Sequence, residues 1–413
     1  MDFNYTEDQK DLILAISNSI KNFDDNYWLE CDNNASFPHE FVNTLADGGW
    51  LGIAMPEEFG GSNLGVTESA LMMMTIAEKG AMTAASSVHM NIFGPNSLVK
   101  FASQEQKKKW LPKIINGQTK MCFAVTEPDT GLDTTRLKTK AIKNKDHYII
   151  NGRKIWTSTA QITNKIMIIA RTSDRNNKNP THGLSLFYTD FNKKHIEARV
   201  IHKMGRAAVD SNELFIDNLE VPIEDLVGEE GKGFSYLLHS INPERILVAA
   251  EAYGIAKNAL DRATKYAKER IVFERIIGEN QSIQHPLAEG WAKLESVKLL
   301  ILKAANLYDN NQPCGIEANA AKFLAAEYGM DICKQAIATH GGMGYAKEYH
   351  VERLFREMLI PYLAPVSQQL VLSYIAEKAL DLKFNTLLPS EVVPSGKIKT
   401  LSPEDKKWRI LFF

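Results

Sequence analysis

Two carboxylates in the segment INPERILVAAEAYG are candidates for acid–base chemistry. Glu244 and Glu251 lie seven residues apart, which places them on one face of a predicted helix, two turns from each other. A carboxylate removed from water is a stronger base than one in solution. The same segment also fits an ordinary helix start, because Pro243 suits the first helical position and an acid suits the first turn.

Glycine, aromatic and basic residues mark further candidate contacts. Gly341 and Gly342, in the run HGGMG, allow a ligand to approach the backbone closely, and they equally suit the end of a helix. Phe123 and Trp156 lie in apolar stretches that also fit the core of a β domain. Arg270 by itself indicates a cation at the C-terminal end of a helix, where the dipole favours positive charge.

Cysteine use and charge exclude several classes of protein. The cysteines form no CxxC pair and no Cys/His set with metal-ligand spacing, so we expect no metal and reduced thiols. The formal net charge of −2 gives no overall field that attracts nucleic acid or anionic lipid. No apolar run is long enough for a membrane span, and the acidic N-terminus resembles neither a secretory signal nor a transit peptide. These features predict a cytoplasmic protein.

The hydrophobic pattern changes twice along the chain. Helical periodicity is predicted for residues 8–23, 38–45, 67–79, 83–93 and 104–110, with Thr6 as the cap of the first helix. Short strands separated by Gly, Asn and Asp are predicted for residues 121–126, 147–151, 166–171, 185–189 and 213–217. Long helical patterns return at residues 246–270, 282–307, 317–339 and 367–382.

This order predicts a mainly α protein with a central β domain. We expect an N-terminal helical domain at residues 1–120 and a small antiparallel β-barrel or sandwich at residues 121–232. A C-terminal four-helix bundle follows at residues 233–385. Residues 386–413 lack apolar periodicity and are expected to form a loosely held tail.

Five sequence blocks, all in the same order, resemble the acyl-CoA dehydrogenase family over residues 8–382. They are MCFAVTEPDTGLD, KIWTSTAQ, HKMGRAAVDSNELFIDNLEVP, ERIVFERIIGENQSIQ and IATHGGMGYAKEYHVERLFRE. The resemblance implies the fold described above and a bound FAD. It also implies α,β-dehydrogenation, in which a base removes the α-proton of an acyl thioester and the β-carbon delivers hydride to flavin N5.

The resemblance assigns flavin contacts residue by residue. One strand is expected to supply Phe123, Val125 and Thr126, and a second strand Trp156, Thr157 and Ser158. An Arg and a Gln from a neighbouring subunit hold the pyrophosphate in this family. The remaining positions that match flavin-contacting residues are Arg270, Phe273, Gln281, Gly341, Gly342, Ser367 and Gln369. His340 is interpreted as a packed histidine.

The family's commonest base is absent. That Glu normally follows the block containing Arg356, and the matching position here is Pro365, which can neither accept a proton nor donate a backbone N–H. Long-chain and isovaleryl-type members instead carry the Glu just before an Arg at the start of the C-terminal domain. Glu244 and Arg245 match that pair, so the resemblance implies Glu244 as base, with Glu251 as the competing carboxylate.

Substrate contacts follow from the same resemblance. They comprise Arg245, Leu132 at a position where the family often has Ser, and the Val366 N–H, which is expected to polarise the thioester carbonyl together with the flavin ribityl hydroxyl. The third block also departs from the family pattern, since its usual Arg is shifted to Arg206.

The implied partners are an acyl-CoA or carrier-bound acyl substrate, an electron-transfer flavoprotein and further copies of the chain in a tetramer. Neither nucleic acid nor a membrane span is expected. Two alternatives remain open from the sequence. One is an oxidase or monooxygenase on the same fold, and the other is a non-catalytic subunit, which Pro365 and Leu132 would favour.

Overall fold

A computed structural model describes residues 4–382 as helices, then a β domain, then helices. The N-terminal helices are α1 (Glu7–Ser19), α2 (Asp25–Asn34), α3 (His39–Asp47), α4 (Val66–Phe93), α5 (Asn96–Phe101) and α6 (Gln104–Ile115). Thr6 caps α1 through a capping box with Gln9, as predicted. The predicted tail, residues 386–413, lies outside the described residues.

Helix α4 joins two predicted helices across a kink. Ala81 has φ 59° and ψ −154°, a backbone region that is strained for any residue other than glycine. Helix α10 satisfies the interrupted backbone on both sides of the kink. Arg353 donates to the Gly80 carbonyl at 3.2 Å, and the Glu357 carboxylate accepts from the Thr83 N–H at 2.8 Å. The kink sets the direction of the second half of α4, which carries Ser86 and His89.

The central domain is built on an eight-stranded sheet. Its strands are β1 (Met121–Ala124), β2 (Lys140–Asn144), β3 (His147–Ser158), β4 (Lys165–Arg171), β5 (Leu184–Asp190), β6 (Ile196–Val200), β7 (Ser211–Pro222) and β8 (Leu226–Val227). The order is β6-β7-β3-β2-β4-β5-β8, with β1 paired to β4. The sheet is mixed rather than wholly antiparallel, because β1 and β2 both pair with β4 in parallel.

The C-terminal bundle begins with α7 (Gly233–Glu269), which ends at a small hairpin of β9 (Ile271–Val272) and β10 (Arg275–Ile276). Helices α8 (Gln281–Asp309), α9 (Gly315–His340), α10 (Val351–Leu363) and α11 (Gln368–Ala379) follow. Helices α7, α8 and α10 all pack against α9, and α4 packs along α7.

The two helical domains share one hydrophobic cluster, which runs from α1 through α4 into α7, α8, α9 and α10. A second cluster joins α6 and the first turns of α7 to the sheet. Helix α7 therefore belongs to both clusters and lies where all three predicted domains meet. Over residues 4–382, no individual helix combines the length and apolar composition needed to cross a bilayer; α10 and α11 meet that test only as a bent pair.

Candidate active site

Glu244 lies inside a helix, which corrects the expected position at a helix start. Helix α7 begins at Gly233, so Pro243 is an interior proline and Glu244 is far from the helix N-terminus. Proline removes one backbone hydrogen bond from a helix. Packing nevertheless continues across it, because Phe234 and Leu237 contact the second cluster and Ile246 begins the contacts with the first. The helix dipole therefore does not lower the pKa of Glu244 in the way expected for a first-turn acid.

The environment of Glu244 makes it a stronger base than a free carboxylate. The side chain is half-buried, and burial raises its pKa to about 7. The nearby charges of His89 and Arg245 act in the opposite direction by favouring the ionised form. A carboxyl group with a pKa close to neutral is matched to proton abstraction at physiological pH.

Glu251, the competing carboxylate, is already held by a partner. It is 1% exposed, and its Oε1 lies 2.6 Å from Nδ1 of His89 on α4. Burial alone would lower the pKa of His89, but the contact with Glu251 raises it overall. A carboxylate that is already paired in a buried site is a poor candidate for the base. The geometry therefore favours Glu244 over Glu251 in that role.

Arg245 is buried beside Glu244. Its Nη1 donates to Asn242 at 3.2 Å, and its Nε has no acceptor among the residues that the structure describes. Burial lowers the pKa of Arg245 to about 10, while Glu244 acts to raise it. The predicted substrate contact by Arg245 remains a prediction; in the structure this cation lies next to the proposed base.

The first predicted flavin strand is held in place by the Glu of the TEP turn. Phe123, Val125 and Thr126 are half-buried on and just after β1. The Glu127 side chain is buried and accepts from the Thr139 backbone N–H at 2.9 Å. It also pairs with the buried Lys154 on β3 at 3.0 Å. Glu127 therefore fastens the segment after β1 to β3, next to the half-buried Phe123, Val125 and Thr126.

A bulge exposes the second predicted flavin segment. The register between β3 and β7 shifts between Lys154 and Thr157, and Trp156 in this gap has φ 60° and is 58% exposed. Bulges re-aim side chains and are common beside active sites. Thr157 is buried, and its Oγ1 has no hydrogen-bond partner within residues 4–382.

These features fit a bound flavin. Trp156 presents an apolar ring outside the sheet, and the unpaired hydroxyl of Thr157 lies beside it. Gly341, with φ 60°, and Gly342 face open space, where an added Cβ would meet no atom within 4 Å. An isoalloxazine needs an apolar wall and polar groups at its edge, and close approach along the glycines suits its adenine half.

Arg206 forms a cationic centre beside this segment. The side chain is buried and donates to the hydroxyls of Ser86, Ser158 and Ser211 at 2.9–3.1 Å. Its Nε is buried with no partner among the described residues. Ser158 is one of the predicted flavin contacts, so the shifted Arg of the third block lies next to the proposed flavin strand.

The residues predicted to serve a neighbouring subunit are on the surface. Arg270 directly follows α7 and is exposed, Phe273 in the β9–β10 turn is 94% exposed, and Gln281 begins α8. Ile271 beside them is also exposed. An exposed apolar hairpin flanked by polar side chains is the composition expected of a contact between subunits.

The last predicted flavin positions lie at the start of α11, where Ser367 is the N-cap and Gln369 is in the first turn. The Ser367 Oγ caps α11 by accepting from the Leu370 N–H, and Gln369 is exposed. The Val366 carbonyl accepts from the buried Lys322 at 2.7 Å, which fixes this segment. Leu132, in the loop after β1, is exposed.

His340 is confirmed as a packed residue, since its ring stacks on Tyr266 and its Nδ1 lies 2.7 Å from the Ala336 carbonyl. His89, which lies beside the two candidate carboxylates, was not predicted from the sequence. A single histidine on an apolar helix carries no local signal, and its pairing with Glu251 appears only when α4 packs on α7. Across residues 4–382, no group of three His, Cys, Asp or Glu side chains could hold a metal ion.

Helical domains around a mixed sheet, an exposed indole beside an unpaired hydroxyl, and a half-buried carboxylate are the features expected of a flavin-dependent oxidoreductase. Three family models match the chain: the acyl-CoA dehydrogenase N-terminal domain at residues 6–118, the middle domain at 122–219 and the C-terminal domain at 231–380. The chain belongs to the acyl-CoA dehydrogenase family, whose members use FAD.

Individual relatives agree with this assignment. The chain is 35% identical to the CarC subunit of a caffeyl-CoA reductase–Etf complex from Acetobacterium woodii, over 79% of this chain and 86% of that one. It is 32% identical to the acyl-CoA dehydrogenase fadE12 of Mycobacterium bovis, over 91% and 97% of the two chains. The structure of butyryl-CoA dehydrogenase from Megasphaera elsdenii superposes with a TM-score of 0.88 at 28% identity, covering 92% of this chain and all of that one.

Proposed function

We propose that the protein catalyses α,β-dehydrogenation of an acyl-CoA or carrier-bound acyl thioester, with Glu244 as the base. The observation that carries this proposal is the half-buried Glu244 with its pKa raised to about 7, while Glu251 is engaged by His89. Glu244 takes the α-proton, and the carbonyl must be polarised at the same time because that proton is weakly acidic. When bound, FAD would supply the hydride acceptor for the β-carbon, and its ribityl chain would offer a hydroxyl as a hydrogen-bond donor.

The chain's own contribution to carbonyl polarisation is the Val366 N–H. Pro365 has no N–H to offer, and Lys322 holds the next peptide by donating to the Val366 carbonyl at 2.7 Å and to Gln368 Oε1 at 2.8 Å. The isoalloxazine would be held by residues of the two predicted flavin segments, Phe123, Val125, Thr126, Trp156, Thr157 and Ser158, and Leu132 would border the thioester. Because Lys322 fixes the segment around Val366, the Val366 N–H can donate to the carbonyl without reorganisation of the backbone during the reaction.

The opposite direction is a second candidate. The relative from Acetobacterium woodii is named as a subunit of a reductase complex. One carboxyl group can take a proton in the forward reaction and return it in the reverse reaction. In that direction reduced FAD would supply the hydride for the β-carbon of an α,β-unsaturated thioester, and a protonated Glu244 donates the proton to the α-carbon. A pKa of about 7 leaves Glu244 able to serve as acid or base at physiological pH.

Partners and setting complete the proposal. An electron-transfer flavoprotein is the proposed electron partner, by analogy with the Etf named in the relative's complex. A homotetramer is proposed because the exposed Arg270, Phe273 and Gln281 match positions that reach a neighbour's flavin in the family. Cytoplasmic fatty-acid or related lipid metabolism is the proposed setting, in keeping with four buried, unbridged cysteines.

The proposed reaction predicts a defined pH dependence. Anaerobic addition of a suitable saturated acyl-CoA should bleach the flavin absorbance. Because Glu244 acts only when deprotonated, the bleaching rate should rise with pH through its pKa of about 7 and level off above it. Stopped-flow measurements on either side of that pKa, with the FAD content checked at each pH, test this. A rate that falls as pH rises would contradict a carboxylate base.

The proposed assembly predicts that Arg270 controls retention of FAD. Arg270→Ala should lower FAD occupancy, because a guanidinium–pyrophosphate contact is charge-assisted and often bidentate. Arg275→Ala is the matched control: it removes an exposed arginine of the same hairpin whose guanidinium pairs within the chain with Asn280. FAD-to-protein ratios and sedimentation should be measured together. A wild-type monomer saturated with FAD would contradict a contribution from a neighbouring subunit.

A further inference from the structure

The second half of α4 carries two buried polar side chains on one face. Ser86 and His89 are three residues apart and therefore lie on the same side of the helix. Ser86 accepts from Arg206, which also donates to Ser158 on β3, so this face of α4 fronts the proposed flavin strand. The His89 ring lies 4.7 Å from Phe93, which in turn packs on Phe123 of β1.

Only one of the two ring nitrogens of His89 has a hydrogen-bond partner among the described residues. Glu251 holds Nδ1 at 2.6 Å, whereas Nε2 has no hydrogen-bond partner within the part of the chain that the structure describes. The raised pKa of His89 favours the imidazolium, in which both nitrogens donate. A ring N–H that has no acceptor in the protein is available to a bound ligand that supplies one.

The spacing of the two carboxylates along α7 sets how far the His89 donor lies from the proposed base. Glu251 follows Glu244 by seven residues on α7, which is about 10 Å along the helix axis. Glu244 also contributes to the electrostatic field at His89, so the base and the histidine share one environment. A thioester whose α-carbon lies at Glu244 would need only a short chain to reach the His89 Nε2.

We propose that His89, oriented by Glu251, is a specificity-determining residue whose Nε2–H binds an oxygen carried near the far end of a short acyl chain. The substrate class is then a short acyl thioester bearing a hydroxyl, keto or phenolic oxygen, rather than a plain hydrocarbon chain. This inference rests on the proposed function, because it takes the acyl group to start at Glu244.

A hydrogen bond between His89 and the end of the acyl chain predicts that the protein prefers oxygenated chains over plain ones. A His89 with a purely structural role would not produce this preference. A site built around a hydrogen bond rejects a ligand that lacks the partner, since its own polar group is then left unpaired. The oxygenated chain should therefore bind at least about tenfold more tightly than the plain chain of equal length.

Equilibrium binding to the FAD-loaded Glu244→Gln protein tests the proposal, with the shift in flavin absorbance as the signal. The ligands are hexanoyl-CoA and the same thioester with a keto or hydroxyl group near its far end. His89→Gln keeps a side-chain N–H and should retain part of the preference. His89→Phe combined with Glu251→Leu removes the ion pair without leaving a buried charge, and the preference should disappear.

The outcomes separate this proposal from the assignment of the base. Hexanoyl-CoA binding as tightly as the oxygenated ligands, or a preference that survives in the double variant, would overturn the role of His89. Rapid bleaching of the Glu244→Gln flavin by these ligands would instead refute Glu244 as base, and the binding preference would still be measurable from the spectral change that precedes bleaching.

Discussion

Glu244→Gln is expected to slow flavin reduction by acyl-CoA by roughly a thousandfold or more, the loss typical of a positioned general base. Glutamine keeps the shape of the side chain and its hydrogen-bonding capacity but cannot accept the α-proton. FAD content and acyl-CoA binding should stay close to wild type, because Glu244 lies on α7 and is not among the proposed flavin contacts. Anaerobic stopped-flow kinetics measure the change.

Two controls make the Glu244 result specific. Glu251→Gln should have a much smaller effect on the same step, since Glu251 is 1% exposed and bound to His89. Exchange of the α-proton with solvent deuterium isolates the base from hydride transfer and should be lost in Glu244→Gln. Near-normal reduction in Glu244→Gln with loss in Glu251→Gln would move the base to Glu251, and normal rates in both would refute the mechanism.

Glu357→Ala is expected to destabilise the protein by about 3–5 kcal/mol, the usual cost of breaking a buried ion pair by removing one partner. Glu357 is fully buried and accepts from the Thr83 N–H and hydroxyl at 2.8 and 2.7 Å. It also pairs with the buried Arg353 at 3.4 Å. In the variant the Arg353 guanidinium would lose its counter-charge. The Thr83 N–H, just after the kink in α4, would lose its hydrogen-bond acceptor.

The loss should appear as a marked drop in melting temperature of the FAD-loaded protein. Glu7→Ala is the matched control, because the Glu7–Lys10 pair has the same type of contact but is exposed on both sides and should contribute at most about 1 kcal/mol. Equal melting temperatures for wild type and Glu357→Ala would show that the α4 kink does not depend on α10.

The amino-acid sequence alone was enough to predict the order of helices, strands and helices. Helical periodicity is local, so the two halves of α4 were predicted as residues 67–79 and 83–93, on either side of the kink at Ala81. The Thr6 cap and the family blocks are also local patterns. Strands β2 and β6 were missed because their residues are mostly polar or exposed, which leaves little hydrophobic alternation to detect.

Only the tertiary structure decided how the site residues are used. Pro243 was expected to begin a helix, but packing on two different clusters carries α7 through it and moves Glu244 away from the helix N-terminus. The parallel pairing of β1 with β4 and the engagement of Glu251 by His89 join residues far apart in the chain. Such pairings depend on which surfaces are buried against each other, and the local periodicity of the sequence does not determine this.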